Sequence, residues 1–154
     1  MTTVQSLLTS PIFLSAFFSW ITAQVLKVII EIMLKKSTSS KDMFVTVLWK
    51  TGGMPSSHSS MVTALATSVG FIEGIGSPIF IVTFFYALVT IRDALGVRRA
   101  TGIQARSLNL LNRELNKHFR IPMHPVKEVH GHTIAEVSVG ILLGFFLAVA
   151  FCIL

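Results

Sequence analysis

The chain is 154 residues long, 52% hydrophobic and only 13% charged, with a mean hydropathy of +0.72. A soluble domain carries about 25% charged residues, so this composition excludes an ordinary water-soluble globule, and the length allows one domain, residues 1–154. Thirteen Lys and Arg against seven Asp and Glu give +6, yet the basic residues are spread along what reads as a membrane face, which excludes a nucleic-acid-binding domain; the single Cys152 excludes a disulfide framework and a multi-cysteine zinc site.

A transmembrane helix needs about 20 mostly apolar residues, and four stretches are read as spans. The first runs from Pro11 to Leu34 and contains Gln24, Lys27 and Glu31. Ionisable side chains at membrane depth are costly and tend to mark function. Lys27 precedes Lys36 by nine residues, which puts it roughly 13 Å below the end of its helix at 1.5 Å per residue. Glu31 at i+4 and Gln24 at i−3 share its face, so Lys27 reads either as half of a local ion pair or as a cation facing a cavity.

Asp42 to Trp49 is apolar but too short to span, and is expected at the interface with Trp49 at headgroup depth. The second span, Ser56 to Glu73, follows Lys50-Thr51-Gly52-Gly53-Met54-Pro55. Two glycines and a proline predict a tight turn, and Ser56 is the expected N-cap. The first amides of a helix lack internal partners and, with the helix dipole, form an anion site. Ser56 and Ser57 add hydroxyls there and His58 a titratable proton. The alternative is a plain capped helix start.

The third span, Pro78 to Leu95, runs into Gly96-Val97-Arg98-Arg99. The planar forks of Arg98 and Arg99 suit bidentate phosphate recognition, or they snorkel at the interface and set topology. Asp93 is expected to pair with an arginine or with Lys27. From Gln104 to Arg120, Leu108, Leu111 and Leu115 recur on one helical face and Arg106, Asn109 and Arg113 on another. This predicts an amphipathic helix suited to an anionic leaflet, or one with a merely solvated polar face. Pro122 and Pro125 break it.

The fourth span runs from His132 to Leu154. His132 and Glu136 stand at i and i+4, on one helical face, where a carboxylate can hold one ring N–H and leave the other nitrogen's lone pair free to attack. The alternatives are an incidental pair at a helix start, or a metal site with His124 and His130. Gly140 and Gly144, also i and i+4, offer a close-packing surface for a homodimer or for packing within the monomer.

Charge bias orients the bundle. Lys35, Lys36, Lys41 and Lys50 follow the first span and Arg98 to Lys127 the third, whereas the N-terminus, the turn Gly74-Ile75-Gly76-Ser77 and the C-terminus hold no Lys or Arg. The positive-inside rule puts both termini outside and loops 35–55 and 97–131 in the cytoplasm. The expected fold is therefore an all-α integral protein of the cell membrane, with about four transmembrane helices and interfacial helices in the two cytoplasmic loops. Two histidines, a carboxylate, several cations and two helix N-termini then share one membrane face, as a phosphoryl-transfer site requires.

At Met54-Pro55-Ser56-Ser57-His58 and His132-xxx-Glu136 the chain resembles the divergent branch of the type-2 phosphatidic acid phosphatase family, related to vanadium-dependent haloperoxidases. Gln24-xx-Lys27, Asp93-Ala94-x-Gly96-Val97-Arg98-Arg99 and Gly131-His132-Thr133-xx-Glu136 extend the resemblance over most of the chain. It implies that His132 is the nucleophile that becomes phosphohistidine, that Glu136 orients it in place of the usual aspartate, and that His58 protonates the leaving alkoxide. Ser56 and the backbone around Ser57 would hold phosphate oxygens, and Lys27 would match the lysine of the first motif. The resemblance also implies no catalytic metal, no cofactor, and a lipid or isoprenoid phosphate substrate.

The chain departs from the family pattern at three places. Ser57 stands where the second motif has glycine, Leu34-Lys35 where the first has Arg-Pro, and Val126 where the third has arginine six residues before its histidine. Arg98 or Arg99, from the preceding span, is the expected substitute. The function expected is a metal-independent phosphatase at the cytoplasmic face acting on phosphatidylglycerophosphate, phosphatidate or an isoprenyl (pyro)phosphate. The alternative is a non-catalytic membrane protein that binds anionic headgroups or a partner through the same cations.

Overall fold

A computed structural model describes residues 3–34, 53–120, 124–128 and 131–153. Six helices follow in chain order: α1 (Thr3–Leu8), α2 (Pro11–Met33), α3 (Ser57–Glu73), α4 (Pro78–Leu95), α5 (Val97–Phe119) and α6 (Ile134–Ile153). Proline in the first turn, where its missing N–H costs nothing, opens both α2 and α4. The Ser77 hydroxyl completes the start of α4 by accepting from the Phe80 amide at 3.2 Å. The expected interfacial segment Asp42–Trp49 lies outside the described residues.

Among the described residues, three helical stretches are long and apolar enough to cross a membrane: α2, the run from α4 into α5, and α6. The 17-residue, Ser/Thr-rich α3 packs against α2, α4 and α6. Its position follows from its side chains. Between helices in lipid, close approach of backbones replaces the hydrophobic effect as the source of stability, and only small residues permit it. Ser56, Ser60, Ala64 and Ser68 run down α3 at intervals of four, all buried. Ser15, Ser19 and Ala23 do the same on α2, and Gly140, Gly144 and Ala148 on α6. Residues four apart lie on one helical face, so each set is a continuous stripe.

The stripes meet closely. The hydroxyls of Ser19 and Ser60 share a hydrogen bond at 2.6 Å. A Cβ added to Gly140 would lie 2.5 Å from the Ser56 carbonyl oxygen, and one added to Gly144 would collide with the carbonyl of Ser60. The Gly140–Gly144 surface is thus used inside the chain, which decides between the two roles its spacing allowed. On the α4 side, Val62, Ala66 and Ala87 form the apolar core with Met61 and Ile91 against it.

One boundary differs from expectation. The amphipathic helix begins at Val97, not Gln104, and follows α4 with only Gly96 between them; the Gly96 amide bonds to Arg92 O and its carbonyl accepts from Ala100 N. Its leucine face is left uncovered by the rest of the protein, as on a helix suited to lie on a leaflet. Ala105, Asn109 and Asn112 are buried, whereas Leu108 and Leu111 are exposed. The cause is the extended segment 124–128, whose backbone needs partners. Asn109 Nδ2 donates to Val126 O at 2.8 Å and to Glu128 Oε1 at 2.9 Å, while Asn109 Oδ1 accepts from Val126 N at 2.8 Å.

Candidate functional site

Each small-residue stripe ends, at one end of the bundle, in a residue capable of chemistry. On α2 the series 15, 19, 23 continues to Lys27; on α3 the stripe begins at Ser56; on α6 it is preceded by Glu136 and His132. Close packing along the stripes therefore fixes where these residues stand relative to one another. The Ser56 amide donates to Glu136 O at 2.9 Å, joining the starts of α3 and α6, and the His132 amide donates to Ala94 O at 3.2 Å, joining the same place to the end of α4.

His132 is only 6% exposed. Its Nδ1 lies 3.0 Å from Glu136 Oε2, a contact in which an ionised carboxylate can only accept, so in a neutral ring it favours the tautomer with the proton on Nδ1. The route to this contact differs from the expected stacking on a helical face, because α6 starts at Ile134 and His132 precedes it. Thr133 and Glu136 instead form a reciprocal cap. The Glu136 amide donates to Thr133 Oγ1 at 3.3 Å, and Thr133 N donates to Glu136 Oε2 at 3.0 Å. One carboxylate oxygen thus closes the helix end and holds the imidazole. Thr133 was not singled out from the sequence, although Thr-x-x-Glu before an apolar run is the sequence signature of such a cap.

At the start of α3, Ser56 is the N-cap: its hydroxyl accepts from Ser59 N at 3.4 Å and shares a hydrogen bond with Ser59 Oγ at 2.9 Å. With the Ser56 hydroxyl engaged in this way, the amides of Ser57 and His58 are what this end offers an anion; neither has a partner among the described residues. The His58 side chain is exposed and close enough to Arg98, His132, Lys27 and Asp93 to feel the charge of each.

Lys27 is 2% exposed. Gly53, at φ +87°, lies over its stem: a Cβ there would sit 3.5 Å from Lys27 Cγ and 3.7 Å from Glu31 Oε1. Lys27, Glu31 and the turn into α3 therefore share one spot, as the i, i+4 spacing implied. Arg98 Nε donates to Asp93 Oδ2 at 2.8 Å, which settles Asp93's partner among the described residues as an arginine. Arg99 parts company with the others. Its backbone lies against Gly131, where any Cβ would clash, and its side chain lines a separate groove along α5 with Arg106 and Arg113. Val126, where the family pattern has arginine, is tied to Asn109.

His130, one member of the alternative metal set, lies outside the described residues. The donors that are described suit an anion better. His132 already spends one nitrogen on Glu136, and the neighbouring groups are helix N-termini, Arg98 and Lys27, which repel a cation.

A buried, carboxylate-held histidine thus stands beside two helix N-termini, at one end of a helix bundle packed through small residues, in a chain with helices long and apolar enough to cross a membrane. The chain belongs to the divergent PAP2 family, whose model matches residues 8–147. It is 39% identical over 152 residues to a Bacillus subtilis (strain 168) protein described as "Uncharacterized membrane protein YuiD", covering 92% of this chain and 93% of that relative. No solved structure matches the chain.

Proposed function

We propose that this protein is a four-span, metal-independent membrane phosphatase that hydrolyses a lipid phosphate through a phosphohistidine on His132. The observation that carries the reading is the 3.0 Å contact between His132 Nδ1 and Glu136 Oε2 at a buried site beside unpartnered helix amides. A neutral imidazole with its proton fixed on Nδ1 presents Nε2 as nucleophile. Nε2 attacks phosphorus, the P–O bond to the lipid breaks, and the alkoxide leaves with a proton from His58. Water then gives a proton back to His58 as it attacks the phosphohistidine, the P–N bond breaks, and inorganic phosphate leaves with the His132 imidazole restored. The Ser57 and His58 amides, Lys27 and Arg98 would stabilise the equatorial oxygens. Glu136 balances the imidazolium charge that forms in the first step.

The orientation read from the charge bias places this end of the bundle in the cytoplasm, with α3 as the fourth span, both termini outside and the cell membrane as location. A precursor made on the cytoplasmic side, such as phosphatidylglycerophosphate, fits that placement better than a carrier recycled outside. The test is phosphate release from a panel of lipid phosphates by the detergent-purified protein, wild type beside His132→Ala. Vanadate-sensitive, chelator-resistant release that disappears in the variant is expected; unchanged release in His132→Ala ends the reading. The second reading, headgroup binding without turnover, is favoured by Val126 and Ser57 at motif positions. It predicts saturable lipid binding and no 32P-labelled histidine.

A further inference from the structure

Beside the His132 cluster, α5 carries a feature that the phosphatase reading does not use. Arg99, Arg106 and Arg113 are spaced by seven and line one side of a cavity of about 520 Å³, with Ile103 and Leu110 between them and Glu128 opposite. None of the three arginines forms an ion pair among the described residues. The one carboxylate in the lining, Glu128, already accepts from Asn109 Nδ2 at 2.9 Å. Three cations against one engaged anion leave the cavity strongly positive.

A second cavity of about 300 Å³ shares Asn109 and Arg113 with the first and adds Asn112, Asn116 and Pro125. Asn112 is 8% exposed, and its carboxamide oxygen has no hydrogen-bond partner among the described residues. A buried acceptor left unsatisfied is costly, so it is a place for a donor to bind. The two cavities therefore pair a cationic wall for a phosphodiester with an acceptor for a hydroxyl. Ile103 and Leu110 add apolar surface that a free phosphate would not need. The helix bearing them follows α4 at Gly96, where the reading of Pro78 to Leu95 as a span puts the lipid headgroups.

We infer that the paired cavities along α5 bind the headgroup of a hydroxyl-bearing anionic phospholipid, its phosphodiester on Arg106 and Arg113 and a headgroup hydroxyl donating to Asn112 Oδ1. Arginine forks grip phosphate oxygens bidentately, and each basic residue near an anionic leaflet adds to the attraction. The lipid here is a ligand and not the phosphoryl donor, so the inference stands whether or not His132 turns over a substrate.

The experiment titrates purified full-length protein in detergent with dihexanoyl phosphatidylglycerol, dihexanoyl phosphatidylethanol, dihexanoyl phosphatidylcholine and glycerol phosphate, with circular dichroism to verify folding. Wild type should bind phosphatidylglycerol most tightly, and Arg106→Gln with Arg113→Gln should weaken that binding by about tenfold or more. Asn112→Ala should erase the preference for phosphatidylglycerol over phosphatidylethanol. A charge-matched control, Lys117→Gln with Arg120→Gln, removes two cations outside the cavities and should bind as wild type does. The inference is overturned if the folded Arg106/Arg113 variant keeps wild-type affinity, or if the control loses as much, which would mean attraction to surface charge alone. Equal affinity for glycerol phosphate would also overturn it, by making the site one for free anions.

Discussion

Replacing Gly140 by alanine tests whether packing positions the site. The added methyl would lie 2.5 Å from Ser56 O, about 0.9 Å short of ordinary van der Waals contact at 3.4 Å, and 3.3 Å from Ser59 Cβ. The obstructing atom is backbone at the N-cap of α3, so no rotamer change relieves it. Either α3 and α6 separate by most of that distance or the α3 start tilts. Overpacking of this kind costs about 1–3 kcal/mol. Separation also acts on the Ser56 N to Glu136 O hydrogen bond of 2.9 Å, which holds the start of α3, with its Ser57 and His58 amides, to the His132 side. A displacement near 1 Å at a catalytic constellation costs on the order of a hundredfold in rate. Gly140→Ala should therefore lower both the thermal midpoint in detergent and lipid-phosphate turnover. Gly144→Ala, one turn further from His132, should destabilise at least as much, because its methyl meets Ser60 O still more closely, but slow turnover less. Wild-type stability and rate in Gly140→Ala would refute the idea that the stripe sets the site.

Other expectations concern the remaining contacts. Glu136→Gln keeps an oxygen to accept from Thr133 N but offers no negative charge to the imidazolium, so kcat should fall by roughly a hundred- to ten-thousandfold with the midpoint nearly unchanged. Glu136→Asp is one methylene short of serving both Thr133 N and His132 Nδ1, and should lose about 1 kcal/mol of stability, read from thermal unfolding, as well as activity. Ser60→Ala removes a 2.6 Å interhelical bond to Ser19 and should cost about 0.6 kcal/mol in a detergent unfolding titration, since the partner hydroxyl finds other acceptors. Asp93→Asn releases an exposed Arg98, so thermal stability should move by no more than about 1 kcal/mol while KM for the lipid phosphate changes; an altered midpoint with constant KM would contradict the assignment of Arg98 to the anion site.

The spans were legible because length and apolarity are local properties. Pro11 to Leu34 and Pro78 to Leu95 coincide with α2 and α4 to within a residue, and Ser56 is the cap its composition predicted. What escaped the sequence depends on partners far along the chain. The start of α5 at Val97 was missed because Gly96 reads as a terminator, whereas here it interrupts two nearly continuous helices. The burial of Asn109 and Asn112 in preference to Leu108 and Leu111 could not be read from periodicity, because it follows from the hydrogen-bonding needs of 124–128. Arg98 and Arg99 are adjacent and chemically identical, so only the fold separates the one paired to Asp93 from the one lining the α5 groove.

The deeper regularity is that one interval serves two purposes. On α6, Glu136, Gly140, Gly144 and Ala148 are each four residues apart, so the glycines that let α3 approach lie in a single register with the carboxylate that holds His132 just before the helix. The α3 stripe begins at the Ser56 cap, next to the amides of Ser57 and His58, and the α2 stripe continues into Lys27. A helix shifted by one residue would lose its close contact and misplace its reactive side chain in the same move. The stability of the bundle and the geometry of the site are consequently selected together, and that explains how a hydroxyl-rich helix of only 17 residues can occupy the centre: its serines are the surface on which the other helices are aligned.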